Sequence, residues 1–211
     1  MKKLLLILLC LPLLFTTCKK EDEEPTNTGN NVNTPTHTYV PDDNFENYLE
    51  ANGMGDGIAL NDSVLTANII DVTYLDIGRN SSTPPIISDL TGIENFTALT
   101  SLDCHSHNAI EYINLSNATN LRYLDCAENQ LKSLDLSQNP ALEELLCFGN
   151  QLTSLDLRNG NNTNLAYLYI GGSFWGGNLN LYCINVDSVA WSTENWSNGD
   201  FNIPPQSYFC N

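Results

Sequence analysis

Basic residues are scarce in this sequence. Eight lysines and arginines stand against 25 aspartates and glutamates, a formal charge of −17, and no basic cluster interrupts the acidity. A surface of that sign repels phosphate backbones and anionic head groups, which excludes nucleic acid as a partner class. Cationic patches and uncharged glycans stay compatible, and solubility alone accounts for the acidity equally well. Histidine is sparse too, with three copies. No Ser-His-Asp or Cys-His constellation assembles from these residues. Cys104-His105-Ser106-His107 holds metal-ligand residue types. On a strand, however, Cys104 faces inward, His105 outward, and His107 enters the next turn, so the donors do not converge. The expectation is therefore a protein that is not an enzyme and carries no metal or cofactor. A long hydrophobic run is also lacking: Leu4–Phe15 is too short for a comfortable bilayer span.

What the sequence does have is repetition. Leu121-x-x-Leu124-x-Cys126-x-x-Asn129-x-Leu131-x-x-Leu134-Asp135-Leu136 returns as Leu142-x-x-Leu145-x-Cys147-x-x-Asn150-x-Leu152-x-x-Leu155-Asp156-Leu157, a step of 21 residues. Upstream, Leu99-x-x-Leu102-x-Cys104 leads, after one extra loop residue, to Asn108-x-Ile110-x-x-Ile113-x-Leu115. Downstream, Leu165-x-x-Leu168-x-Ile170 passes through a Gly-rich insertion into Leu181-x-x-Ile184-x-Val186. A degenerate first turn runs from Val72 through Leu75 and Ile77, then on to Ile87, Leu90 and Ile93. A fixed period of this length indicates a solenoid. Each coil is too small to bury its own apolar edge, so the coils must stack and share one core.

Over residues 68–186 the phrase resembles the leucine-rich repeat. The fit is to short internalin-like repeats, in which a second L-x-x-L-x-L segment replaces a long helix. The implied fold is a mainly β solenoid of short parallel strands with little helix. Asn129 and Asn150 sit where the chain turns inward and are expected to bond unpaired turn backbone groups. Cys104, Cys126 and Cys147 share one repeat phase and should stack inside as inert thiols.

The ends read differently. Residues 1–17, with Lys2 and Lys3 before Leu4–Phe15, have the form of a secretory signal. Leu14-Phe15-Thr16-Thr17-Cys18 resembles a bacterial lipoprotein signal, which implies cleavage before Cys18 and acylation of its sulfur. Thr17 departs from the small residue usual there. Lys19-Lys20-Glu21-Asp22-Glu23-Glu24 resembles the run that sends lipoproteins to the surface of Gram-negative outer membranes. Residues 18–40 are expected to be a disordered acidic and polar tether. Residues 41–67 are read as a helical cap, starting at Pro41-Asp42-Asp43-Asn44 and continuing through Ile58, Leu60, Val64 and Leu65. Asp56-Gly57 and Asn61-Asp62 lack calcium-loop spacing and read as a turn. Residues 187–211 lose the repeat and gain aromatics suited to a lid over the last coil. Cys183 and Cys210 flank that segment. A disulfide between them would clip it closed, and two free thiols are the alternative.

Placing the leucines inward leaves an outward ladder on the main strands. Its candidate binding residues are Tyr74, Asp76, Asp103, His105, Tyr123, Asp125, Glu144, Phe148, Tyr167 and Tyr169, with Trp175 from the adjoining Gly171–Gly177 loop. The ladder through Ser133, Asp135, Ser154 and Asp156 is small and polar, like a solvated edge. The function that follows is recognition by a monomer, of a protein first and a glycan second, with the membrane reached through lipid on Cys18. A structural spacer without a ligand is the third reading.

Overall fold

Each half of the repeat phrase places its middle leucine at the centre of a strand only three residues long. The computed structural model describes residues 36–79, 85–171, 177–196 and 201–211, all within the unit 34–211. The leader, Cys18 and Trp175 lie outside the described residues. Strands β1 (His37–Tyr39) and β2 (Ser63–Leu65) form an antiparallel pair beside helices α1 (Asp43–Ala51) and α2 (Thr66–Ile69). The main parallel sheet then stacks β3 (Tyr74–Asp76), β4 (Ser101–Asp103), β5 (Tyr123–Asp125), β7 (Glu144–Leu146), β9 (Tyr167–Tyr169) and β11 (Phe201–Asn202). A second parallel sheet runs β6 (Ser133–Asp135), β8 (Ser154–Asp156), β10 (Cys183–Asn185) and β12 (Tyr208–Cys210), with helix α3 (Val189–Asn195) after β10.

The register is set by the leucines. Leu75, Leu102, Leu124, Leu145 and Leu168 lie opposite one another on neighbouring strands, all buried. Each such side chain contributes roughly 1.5–3 kcal/mol when taken out of water. Several strands end because of the aspartate that follows the central leucine. Asp125 accepts the Ala127 N–H at 3.0 Å, Asp135 that of Ser137 at 2.9 Å and Asp156 that of Arg158 at 3.0 Å. A short acidic side chain bonding two residues ahead turns the backbone out of the strand.

Asparagines close the other side of each coil. Asn150 donates through Nδ2 to Cys126 O (2.9 Å) and Cys147 O (3.1 Å) while its Oδ1 accepts from Leu131 N (3.0 Å). Asn129 and Asn178 donate to the corresponding carbonyls of their coils. In the coil before, the residue at this position is His107, not Asn108. His107 is fully buried; Nδ1 accepts from Ile87 N (3.0 Å) and Nε2 lies 2.7 Å from Ile77 O. Asn108 instead takes the tight turn at φ 56° and is exposed. The extra loop residue thus follows the ladder position instead of preceding it.

Three further boundaries differ from the sequence reading. The tether stops earlier than residue 40, because β1 is paired and alternation puts Thr38 and Val40 inside. Ile58 and Leu60 do not pack under the cap; both are mostly exposed. Their loop is held by polar bonds, with buried Glu46 accepting from Asn61 N and Asp62 N, and Glu50 from Asp56 N and Gly57 N. At the far end, the coil continues past residue 186. Phe201 sits in register with Leu168 and Phe209 with Ile184, around a buried Trp196. Cys183 and Cys210 join β10 to β12 as a disulfide with Cα atoms 5.9 Å apart.

Candidate functional site

Side chains flanking the leucines alternate to the opposite face of the main sheet, and five of the candidate residues meet there. His105, Asp125, Phe148, Tyr167 and Tyr169 line one groove of about 400 Å³ with Ser106, Ala127, Glu128 and Leu146. The aromatic wall comes from adjacent coils. Phe148 meets Tyr169 edge-on at 5.0 Å between centroids, and Tyr169 stacks with Tyr167 at 6.4 Å and 10° between planes. Gly171, at φ 109°, allows this packing, since a Cβ there would lie 2.9 Å from Phe148 Cβ.

The other wall holds Asp125 and Glu128, and the carboxylates continue past the groove along the sheet. Asp76, Asp103 and Asp125 occupy matching positions on β3, β4 and β5, a spacing of about 4.8 Å at which like charges repel. His105 relieves one of them, its Nδ1 lying 2.5 Å from Asp103 Oδ1. Burial works against the imidazolium, but the bond to Asp103 and the charges of Asp103 and Asp125 outweigh it, so His105 holds its proton above the usual histidine range. Asp125 feels the His105 charge but has no bond from its ring among the described residues. Burial, with Asp103 close by, raises its carboxyl despite the Ala127 bond. Burial and the same carboxylates push the Tyr123 phenol up to about 12. Metal-ligand atoms of Asp103, His105 and Asp125 lie within 4.8 Å of one another, a grouping of donor types suited to a divalent cation. This differs from the group read in the sequence: Cys104 is buried in the core and His107 in the ladder.

Tyr74, Asp76, Asp103, Tyr123 and Glu144 share the sheet face without lining the groove. Tyr74 is exposed, with its hydroxyl 3.4 Å from Asp76 Oδ2. Two contributors escaped strand reasoning. Glu128 and Ser106 lie beyond the strand ends, at φ 54° and 63°, where alternation carries no information. They meet across coils, Ser106 Oγ donating to Glu128 Oε2 at 2.6 Å.

No family model matches the chain, and no curated protein does. Among solved structures it is similar to the functional domain of InlJ from Listeria monocytogenes, described as including a cysteine ladder, at 28% identity and a TM-score of 0.44 over 71% of this chain. It is also similar to the internalin InlF from Listeria monocytogenes strain 4b F2365, at 21% identity and a TM-score of 0.52 over 70% of this chain. The chain spans 38% and 44% of those two structures, less than half of either. The architecture is that of an internalin-like leucine-rich-repeat solenoid.

Proposed function

We propose that this chain is a lipid-anchored cell-surface protein that recognises a protein partner through the groove on its main strand face. The observation carrying that reading is the half-buried trio of Phe148, Tyr167 and Tyr169, which lines the groove beside Asp125 and Glu128. The solenoid core is complete without these side chains, which lie on its other face. Rigid aromatics held together in this way offer contact area at low entropic cost. Anchoring rests on the sequence alone: the leader, Cys18 and the charged run after it support a lipoprotein of the Gram-negative outer membrane, displayed outward.

Two experiments test the two halves. Exchanging Phe148 and Tyr169 together for alanine should reduce capture of extracellular proteins by the full chain at least tenfold, the scale expected for paired aromatic hot spots, with the melting curve retained. Undiminished capture would remove the recognition claim. Protease shaving of intact cells, beside a Cys18→Ala form, tests display. Shaving of the native protein with release of the substituted one supports a surface lipoprotein, whereas protection until lysis refutes outward display.

A glycan-binding reading has its own support, because a groove of about 400 Å³ falls in the range of small-ligand sites and tyrosines stack on sugar rings. Discrete hits on a glycan array would favour it over a protein partner. A chain that captures no protein and hits no glycan is a spacer.

A further inference from the structure

Beyond Lys20 the chain has only four lysines and arginines: Arg79, Arg122, Lys132 and Arg158. Three are engaged elsewhere, Arg122 with Glu143, Lys132 with Glu111 and Arg158 with Asp156. None of the four lines the groove. Its one basic side chain, His105, already faces Asp103. Asp125 commits Oδ1 to the Ala127 N–H, and Glu128 commits Oε2 to Ser106. The second oxygen of each has no partner among the described residues. The groove therefore joins two half-engaged carboxylates to a wall of aromatic faces, and its one basic side chain is held by Asp103.

We propose that this groove receives an arginine side chain presented by the protein partner. The inference rests on reading the groove as a recognition site, and it names what that site recognises. A guanidinium is planar and forked, so it stacks on a tyrosine or phenylalanine face while donating to a carboxylate. A lysine ammonium offers a point charge without the stacking plane. A bare metal ion would use Asp103, His105 and Asp125 and leave Phe148, Tyr167 and Tyr169 without a role. The acidity of the chain as a whole, −17, favours approach of a basic segment over long range. The volume of about 400 Å³ leaves room for flanking backbone beside the side chain.

The test uses the full chain and two capped pentapeptides, Gly-Gly-Arg-Gly-Gly and the same peptide with citrulline, which keeps the shape and loses the charge. Binding is read from the aromatic ring resonances of Phe148 and Tyr169 at low ionic strength. The arginine peptide should shift both rings, with the citrulline peptide weaker by about tenfold. Asp125→Asn and Glu128→Gln should each weaken the arginine peptide several-fold. Asp135→Asn, which removes the same charge from the other ladder, should leave it unchanged. The two aspartate exchanges spare the turn, because Asn114 already makes the equivalent bond to Ser116 N.

Equal binding of both peptides overturns the proposal. So does an equal loss with Asp135→Asn, which would mean diffuse attraction to an acidic surface. Ring shifts with zinc chloride but not with the arginine peptide also overturn it and assign the carboxylates to a metal. If arginine is ignored while the Phe148 and Tyr169 double exchange still abolishes protein capture, the recognition face stands and the arginine assignment falls.

Discussion

At the scale of single residues, His107 and His105 sit two positions apart and answer pH in opposite senses. The His107 ring accepts at Nδ1 and faces a carbonyl at Nε2, so its neutral form fits the ladder and protonation at Nδ1 would break the bond from Ile87. Burial, with Arg79 and His105 adding to it, lowers its pKa from 6.5. The unfolded chain therefore takes up the proton first. That contribution to stability is full above about 6.5 and is lost as pH falls toward the depressed value. For His105, whose pKa is raised, the contribution is full below that pH and is lost as pH rises through the folded value. His107→Asn, which keeps a donor and an acceptor, should flatten the acid side of the stability profile. Melting temperatures of the two forms between pH 5 and 7.5 check this, and parallel curves would refute it. The column of Cys104, Cys126 and Cys147 gives a second expectation. Burial raises all three thiols well above the ordinary range, so alkylation followed by peptide mass analysis should label them only after unfolding. The leucine and cysteine columns were legible in the sequence because, from Leu102 to Leu168, each returns at a step of 21 to 23 residues. His107 was not, since an asparagine stood next to it and the insertion's exact place leaves no trace in spacing.

Among elements, the N-terminal cap depends on one carboxylate. Asp42 Oδ1 accepts from Asn44 N and Phe45 N, both at 3.0 Å, starting α1. Its Oδ2 accepts from Ser88 N and Oγ at 2.8 Å and Asp89 N at 3.1 Å, tying the helix to the first coil. Burial raises its pKa, but those bonds win and leave it below the usual 3.8. Its stabilisation is thus full above that value and fades as pH falls through the depressed one. Asp42→Ala should cost about 2–3 kcal/mol by denaturant unfolding at neutral pH, from a lost cap and stranded donors; a loss under half a kcal/mol would mean the cap holds by apolar packing. The helix start was readable from Pro41-Asp42-Asp43-Asn44, whereas the tie to Ser88 spans 46 residues and no local pattern announces it. The last coil was illegible for another reason. Phe201 and Phe209 stand where leucine is expected, and aromatics with a helix between them dissolve the period while filling the same volume.

For the whole molecule, the disulfide closes the final coil across 27 residues. Loop closure of that length stabilises by about 3 kcal/mol, so the Cys183→Ser and Cys210→Ser double exchange should lower the unfolding free energy by that amount. An unchanged midpoint would show that Trp196 and its aromatic neighbours hold the end alone. The groove, too, belongs to this scale. Its walls come from four consecutive coils, through His105, Asp125, Phe148 and Tyr167, so residues could be assigned to a face from the sequence, while their grouping required the stack. The ladder has a consequence for chain length. Asn129 bridges Cys104 O and Cys126 O, and Asn150 bridges Cys126 O and Cys147 O. Excising residues 121–141 would bring Asn150 to the carbonyl Asn129 now serves, with every leucine column rejoined. The shortened chain should still fold, with His105 set directly against Phe148 and the acidic residues Asp125 and Glu128 gone. The height of the stack and the lining of its groove are therefore separable properties here: whole coils can be added or removed like courses of brick, each change rewriting the groove without rewriting the wall.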